Sequence, residues 1–347
     1  MNQLIDAMDS AARWKALAPD LATPSTEITL SDDHTLFQFG DDQTSGRIQA
    51  TNQSKGHVLR RNLDDLDLTG FDEVRLWARS DRVADTSGAA PFFLEMKFAS
   101  AGMGFGDPQN TWRRPLPFFQ PGSWEFIRFS VADLPAQIRG AASGVQLKVI
   151  NSPQPFTCNL DTCLAVKEEM LTDIERELLA RTHQKVEING TALTAVIFNP
   201  DVAPPALPYI RVTPYDVELN EQRSVVATLR MDYTETGFRV LPQRIGYDVF
   251  YDFEAYAADR QAKTRVYEYL LRRFAPRSEL VVNGVPLIIE YVASTQADYV
   301  TPERVDRTIL RFKVQTWQSK TSVGEPAKRP FANITIETGP TPGGIRA

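Results

Sequence analysis

The stretch DVFYDFEAYAADRQAKTRVYEYLLRRFAP (248–276) changes from a two-residue period to a helical period without an intervening loop. In its first nine residues, Val249, Tyr251 and Phe253 share one face of an extended chain, and the other face carries Phe250 and three carboxylates, which is typical of a strand with one buried face. Further along, apolar residues recur at helical spacing (Val266, Leu270 and Phe274), and Pro276 ends the stretch. The stretch therefore predicts a strand that leads straight into a helix.

The opposite face of this predicted strand carries Asp252 and Glu254. Two carboxylates at that spacing lie roughly 7 Å apart, inside the roughly 6.5–9.5 Å window of inverting glycosidases. The same alternation is typical of any half-buried strand. We interpret the two side chains as facing solvent, a channel or a neighbouring subunit. With Arg311 and Lys313 of a later strand, they are candidates for a subunit interface.

Outward from this stretch, residues 166–318 predict an α+β domain with a mostly antiparallel sheet and packed helices. LTDIERELLARTH (171–183) has a helical apolar stripe, and Asn189-Gly190 and Asn283-Gly284 are hairpin signals. DRTILRFKVQTW (306–317) alternates as a strand, whereas the segment that follows the proline-rich NPDVAPPALPYIRVTPYDV (199–217), up to about residue 245, is predicted to be rich in loops.

The first half of the chain predicts an all-β sandwich or jelly roll over residues 26–165. Its six candidate strands are TLFQFG, GRIQAT, EVRLWARS, FFLEMKFAS, WEFIRFS and VQLKVIN. Within them, Val74, Leu76 and Ala78 share a face, and Trp124, Phe126 and Phe129 are expected to fill the sandwich. The fold class is thus multidomain: a jelly roll followed by an α+β domain.

The two ends of the chain are predicted separately. Residues 1–25 are expected to form a short amphipathic helix and a linker, and the N-terminus lacks the pattern of a signal peptide. Residues 319–347 are expected to form an extended arm, in which FANITIE (331–337) could add an edge strand to a neighbouring subunit.

Bulk composition limits the function classes. The net charge of −6 argues against a bulk attraction to nucleic acid or an anionic membrane, and we expect no sequence-specific nucleic acid partner. No apolar run is long enough to span a membrane. Cys158 and Cys163 are too few for a zinc site and are expected to be free thiols.

The sequence contains no nucleophile elbow, P-loop or zinc-protease motif, so we expect no catalytic residues, no metal and no cofactor. Trp112, Phe118 and Phe119 lie in a proline-rich segment and are candidates for a glycan-stacking platform or a protein contact. The acidic cluster between Asp64 and Asp72 could hold calcium or could be a solvated turn.

LDDLDLTGFDEVRLWARSD (63–81) followed by QPGSWEFIRFSVADLP (120–135) resembles the jelly-roll carbohydrate-binding modules. The resemblance covers about 100 residues. It implies the sandwich fold and a glycan partner, although the same sandwich serves many roles.

Residues 168–318 resemble the tail-terminator proteins of tailed bacteriophages, through element order and through LPYIRV (207–212) and DRTILRFKVQTW (306–317). The resemblance implies a ring of copies, six in that family, at the tail terminus or neck, in contact with tail tube, sheath or head-to-tail connector proteins. It also implies a virion protein that is assembled in the host bacterial cytoplasm. The additional jelly roll and arm leave two alternatives, a baseplate subunit of a phage or contractile injection particle, and a carbohydrate-active enzyme.

Overall fold

The computed structural model describes residues 2–38, 43–85, 91–100, 105, 111–225, 230–233, 238–241, 244–297, 307–319 and 326–327. They fall into two compact units. The jelly-roll unit contains residues 3–165 and 231–241 with the described part of 324–347, and the α+β unit contains residue 2 with 166–230 and 242–323. The hairpin within residues 230–241 therefore belongs largely to the jelly-roll unit, although the sequence places it inside the second domain.

The first eleven strands build the jelly roll. In chain order they are β1 (Asn2–Asp6), β2 (Lys15–Leu17), β3 (Ile28–Asp33), β4 (Ser45–Ala50), β5 (Val58–Leu66), β6 (Glu73–Ser80), β7 (Leu94–Ser100), β8 (Thr111–Pro115), β9 (Trp124–Ser130), β10 (Ala142–Val149) and β11 (Phe156–Val166). A 3₁₀ turn, Ala11–Arg13, follows β1, and the short helix α1, Ala136–Gly140, precedes β10. One sheet has the order β3-β4-β11-β6-β9 with β1 also paired to β11, and the other has the order β2-β5-β10-β7-β8.

The two sheets bury a common core, as the resemblance to a sandwich implies. Val74, Leu76 and Ala78 are fully buried on one face of β6, which confirms their predicted register. Phe129 of β9 is buried as well. Trp124 and Phe126 were expected in the core, and this is wrong. In the register of β9 with β6, Phe126 lies opposite Trp77, which is on the face of β6 that points away from the core. Trp124 and Phe126 are therefore on the outer face, and the rings of Phe126 and Trp77 lie 5.0 Å apart.

Two further predictions about the first half are wrong. The amphipathic helix predicted over residues 1–17 is absent, because residues 2–6 pair with β11 instead and Ile5 enters the sandwich core. TLFQFG was expected to be a strand. The carboxylate of Asp33 accepts hydrogen bonds from the backbone N–H groups of Thr35 and Leu36, which turns the chain there. The first strand of that sheet, β3, ends at Asp33.

The second half builds the α+β unit and the hairpin. Its elements are α2 (Met170–Thr182), β12 (Glu187–Ile188), β13 (Thr191–Ala192), β14 (Thr194–Ile197), β15 (Tyr209–Leu219), α3 (Glu221–Val225), β16 (Arg230–Tyr233), β17 (Phe238–Leu241), β18 (Arg244–Tyr256), α4 (Arg260–Phe274), β19 (Arg277–Val282), β20 (Val285–Ala297), β21 (Arg307–Ser319) and β22 (Pro326–Ala327). The main sheet has the order β14-β15-β18-β21-β20-β19, and only its β14–β15 pair is parallel.

The predicted strand-to-helix transition is confirmed. β18 runs from Arg244 to Tyr256, and α4 starts at Arg260, where the Asp259 carboxylate accepts a hydrogen bond from the Ala262 N–H. Val249, Tyr251 and Phe253 of β18 are fully buried. The Phe253 ring lies 5.8 Å from Phe274 of α4, so the strand does face its own helix.

The hairpin signals are confirmed too, since Asn189, Gly190, Asn283 and Gly284 all have positive φ angles. The segment predicted to be rich in loops, from about residue 218 to about 245, contains α3, β16 and β17 among its described residues, so that prediction is wrong. Cys158 and Cys163 are free, as predicted, and they are fully rather than partly buried. Burial raises the pKa of both thiols. FANITIE lies outside the described residues.

Candidate functional site

One face of the main sheet of the α+β unit carries a set of paired charges. This face points away from α2 and α4, whose apolar residues pack on the other face. Four carboxylates and three cations from four adjacent strands contribute to it: Asp248, Asp252, Glu254, Glu290, Arg211, Arg311 and Lys313. The sheet order β15-β18-β21-β20 brings them together, so that opposite charges stand on neighbouring strands.

Asp252 and Arg311 form a two-pronged ion pair between β18 and β21. Arg311 Nε donates to Asp252 Oδ1 at 2.7 Å, and Nη2 donates to Oδ2 at 3.0 Å. Asp252 is only 8% exposed, and the Arg311 guanidinium lies 3.7 Å from the ring centroid of Tyr215. The hydrogen bond to Asp252 raises the pKa of Arg311. The pair is therefore held on two sides, by a carboxylate and by an aromatic face.

Glu254 has an arginine of its own. Its Oε2 atom accepts hydrogen bonds from Arg211 Nε at 3.1 Å, from Arg211 Nη2, and from the Tyr256 hydroxyl at 2.6 Å. Glu254 is 3% exposed. Lys313 lies between two carboxylates, with Nζ 3.1 Å from Glu290 and 3.8 Å from Asp248. All four residues predicted for a subunit interface thus have partners within their own chain, and their interface role stays a prediction.

The hydrogen bonds of the Asp252 and Glu254 carboxylates can be compared with those that an inverting glycosidase needs. An inverting glycosidase needs one carboxylic acid that carries a proton and a second carboxylate that activates water. Both oxygens of Asp252 accept hydrogen bonds from Arg311, and Oε2 of Glu254 accepts three. A proton on either oxygen of Asp252, or on Oε2 of Glu254, would displace an arginine. The geometry is that of structural ion pairs.

A different feature of the same sheet is open to a partner. Strand β15 has eleven residues, but β14 pairs only with Tyr209–Val212. From Thr213 to Leu219, the outer edge of β15 has no neighbouring strand in the described part of the chain. Tyr215, Val217 and Leu219 are 59%, 41% and 53% exposed there. The edge therefore combines unpaired backbone groups with apolar side chains.

Sequence analysis missed this edge, and it also missed Arg211 and Tyr215, which complete the ion pairs. The signal was present, because Tyr209 to Thr213 alternate between apolar and polar residues. Pro214 interrupts that alternation. It stands at a register shift between Pro214 and Asp216, where one extra residue turns the pattern over. A segment in which the two-residue period breaks in this way is easily interpreted as a loop.

The predicted aromatic platform of the jelly roll is not assembled. Trp112 is buried and donates through Nε1 to Asp133 at 3.1 Å, and its ring lies 5.7 Å from Phe98. Phe118 is fully buried and stacked on Phe93. Phe119 is 45% exposed and contacts Tyr233 of the hairpin at 5.7 Å. The structure therefore leaves only one of the three predicted rings accessible for stacking.

The acidic cluster that was considered for calcium lies in and beside the end of β5. Asp67 is exposed, and its Oδ1 accepts hydrogen bonds from the N–H and the hydroxyl of Thr69. Among the residues that the structure describes, no three His, Cys, Asp or Glu side chains are grouped as a metal site would require. Within the same residues, no helix is long and apolar enough to cross a membrane.

No family model matches the sequence, and no curated protein matches it either. Among solved structures, a family 11 carbohydrate-binding module from Clostridium thermocellum is similar over 48% of this chain and 95% of its own, at 12% identity and a TM-score of 0.34. The sheath/tube terminator of the extracellular contractile injection system PVC is similar over 52% of this chain and 66% of its own, at 14% identity and a TM-score of 0.37. An enzymatically active domain of tailspike protein 4 from bacteriophage CBA120 is similar over 46% of this chain and 20% of its own, at 10% identity and a TM-score of 0.32. Likenesses this distant assign no function.

Proposed function

We propose that this chain is a structural subunit of a tailed-bacteriophage particle, in which copies of its α+β unit join edge to edge into a ring at the tail terminus or neck. The observation that carries the proposal is the open edge of β15 from Thr213 to Leu219. An exposed edge strand with apolar side chains is a template for pairing with another chain.

The C-terminal arm of a neighbouring copy is the occupant that the sequence favours. Strand β15 carries Asp216 and Glu218 along the edge, and both are exposed. In the arm, Lys328 and Arg329 precede FANITIE with Pro330 between them, and the alternating Ile334 and Ile336 of FANITIE suit an added strand. Basic residues beside a strand-forming segment complement an acidic, apolar edge. Strand addition between copies extends a sheet from subunit to subunit and closes when the rotation between copies allows a ring.

The resemblance of residues 168–318 to tail terminators supports the position that we propose, with six copies and with tail tube, sheath or connector proteins as neighbours. The jelly roll would project outward as a decoration or as a glycan-binding module. The proposal assigns no reaction to the chain, in agreement with the ion-paired state of Asp252 and Glu254. The site of assembly would be the host bacterial cytoplasm.

The test is the oligomeric state of the purified full-length chain, measured by light scattering after size exclusion and by electron microscopy. We expect rings for the wild type and monomers for the double variant Val217→Lys/Leu219→Lys, because lysines on an edge strand prevent pairing. Leu171→Lys is the matched control, since Leu171 is 37% exposed on helix α2 and lies on no strand edge. It should leave the rings intact.

The arm has its own variant, Ile334→Glu/Ile336→Glu, which should dissolve the rings to the same extent. Monomers of the wild-type chain at every concentration, together with its absence from purified particles, would overturn the proposal. A particle map that shows the chain at the end distant from the head would favour the baseplate alternative instead.

A further inference from the structure

A cavity of about 700 Å³ lies on the jelly-roll unit beside β2 and β5. Its polar lining consists of Arg13, Lys15, Arg60, Arg61 and Asn62, and small apolar side chains from residues 17–24 form the remainder. The volume is in the range of small-molecule sites in proteins, roughly 300–1,000 Å³. No part of this lining belongs to the aromatic platform or to the open strand edge discussed above.

The charges around this cavity are not balanced. Arg61 forms an ion pair with the buried Asp6. Among the described residues, however, no carboxylate pairs with Arg13, Lys15 or Arg60, and no acidic residue lines the cavity. The chain as a whole is acidic, with a net charge of −6. Three uncompensated cations in one concave site therefore mark a local preference for a negatively charged group.

Two buried donors of the same sheet also lack partners, and one of them, on Arg60, belongs to the lining of the cavity. The register of β2, β5, β10 and β7 aligns Lys15, Arg60, Gln146 and Lys97 in one row on the face opposite the sandwich core. Arg60 Nε and Gln146 Nε2 are buried, and neither has a hydrogen-bond partner in the part of the chain that the structure describes. Gln146 is only 1% exposed. Buried donors without acceptors are rare in native proteins, because each loses its hydrogen bonds to water without replacement.

The position of the Arg60 guanidinium is fixed by an aromatic contact. Its central carbon lies 5.0 Å from the ring centroid of Phe105, and that ring packs where a side chain on Gly144 would otherwise stand. Lys97, further along the row, is already paired with Glu95 at 3.2 Å. In this row Arg60 and Lys15 line the cavity, whereas Gln146 does not, so Arg60 Nε is the unpaired buried donor that a ligand in the cavity could satisfy and Lys15 adds a second donor.

We propose that this cavity binds a short oligosaccharide that carries carboxylate groups. A guanidinium presents its N–H groups as a fork that matches a carboxylate. The amide N–H₂ of Asn62, which is part of the lining, can donate to a sugar hydroxyl or ring oxygen. The apolar residues between 17 and 24 offer a surface for the C–H face of a sugar ring. With three unpaired cations, the site is too small for the many phosphate contacts on which nucleic acid binding depends. The inference rests on that part of the proposed function which gives the jelly roll as a glycan-binding module, specifies its ligand class, and does not depend on ring assembly.

The test is calorimetric titration of the full-length chain with trigalacturonate, with cellotriose as the neutral trisaccharide. We expect binding of trigalacturonate, at least about tenfold weaker binding of cellotriose, and a loss of about tenfold or more in the affinity for trigalacturonate in Arg60→Gln and in Lys15→Gln. Arg47→Gln is the control, because Arg47 is an exposed arginine on β4 of the other sheet. It should bind as the wild type does.

A second variant separates binding from folding. Gln146→Leu removes a buried donor that has no partner and that does not line the cavity, so the chain should unfold at a higher temperature while the affinity for trigalacturonate is unchanged. Four results would overturn the proposal: no binding at about 5 mM trisaccharide, equal affinity for cellotriose, equal losses in Arg47→Gln, or binding of inorganic phosphate or duplex DNA that is as tight as that of trigalacturonate.

Discussion

The Asp252–Arg311 pair offers a quantitative test of whether the polar face of the main sheet is structural. The perturbation is Arg311→Met, which keeps an unbranched side chain beside Tyr215 but removes the charge. It leaves Asp252, 8% exposed, without its cation. Breaking a buried ion pair from one side costs about 3–5 kcal/mol. Because the Arg311 side chain is 26% exposed, water can reach the vacated site, and we expect a smaller loss of about 2–3 kcal/mol.

The assay is native-state hydrogen exchange of the backbone amides of α4, which packs on the other face of the same sheet. A loss of about 2–3 kcal/mol corresponds to exchange that is roughly 30- to 150-fold faster. Asp252→Asn should cost less, since the freed guanidinium can turn to solvent. The double variant should cost less than the sum of the two, by about 1–2 kcal/mol. The control, Arg272→Gln, removes an exposed helix pair with Glu268 and should change the rate less than about threefold.

One pattern of results would refute the structural reading of these carboxylates. If Arg311→Met leaves the α4 exchange rates unchanged, while Asp252→Asn and Glu254→Gln each abolish a measurable glycan cleavage, the pair is catalytic. Loss of protection without any cleavage across a glycan panel agrees with the ion-pair reading.

Two other predictions concern the cores of the two units. Tyr251 is fully buried and its hydroxyl has no partner among the described residues, so Tyr251→Phe should stabilise the α+β unit by about 1 kcal/mol in urea denaturation. Tyr269→Phe is its control and should destabilise, because the Tyr269 hydroxyl donates to the Arg181 carbonyl at 2.9 Å. In the jelly roll, burial raises the pKa of Asp33, but hydrogen bonds from Thr35, Asn159 and Leu36 outweigh it and hold the pKa at about 2. The folded pKa lies below the unfolded value of about 3.9, so this carboxylate contributes stability above about pH 4 that is lost as the pH falls towards 2. Asp33→Asn should flatten the acid limb of a thermal-melting profile, the exposed Asp64→Asn should not, and an unchanged limb in Asp33→Asn would contradict the assignment.

The sequence predicted best those elements whose local pattern agrees with their tertiary environment. β18 and α4 have a clean two-residue period and a clean helical period, and each buries the face that its pattern indicates. The turns at Asn189-Gly190 and Asn283-Gly284 need positive φ angles, which these residues adopt readily. For these elements and turns, the local sequence pattern and the tertiary packing favour the same structure.

Prediction failed where a long-range partner decides the structure. The spacing of Leu4 and Met8 fits a helix, but residues 2–6 pair with β11, more than 150 positions away in the chain. Trp124 and Phe126 were expected inside, yet their alternation with Ile127 and Phe129 places them on the outer face of β9. Large aromatic side chains do not by themselves identify the buried face, since a sheet can carry rings on both faces.

The candidate sites were the hardest to predict, because each depends on which strands are neighbours. Any two carboxylates two residues apart on a strand have the spacing of a catalytic pair, as Asp252 and Glu254 do. Only the arginines from β15 and β21 show that their oxygens form ion pairs. Lys15 and Arg60 are 45 positions apart, and it is the register of β2 with β5 that places them side by side. A two-residue pattern assigns a side chain to a face of its own strand, whereas the adjacent strands decide which groups it meets there.

The open edge and the basic cavity lie in different units, and that separation makes the two proposals independent. A single cavity with three unpaired cations, partly open to solvent, is suited to weak binding of a short acidic glycan. Copies held in a ring would present several such cavities to one polymer. Linked sites gain roughly 10²–10⁴ in apparent affinity when geometry permits simultaneous contact. Weak single sites on a jelly roll are therefore compatible with firm attachment of a particle, provided that the edge of β15 assembles the copies.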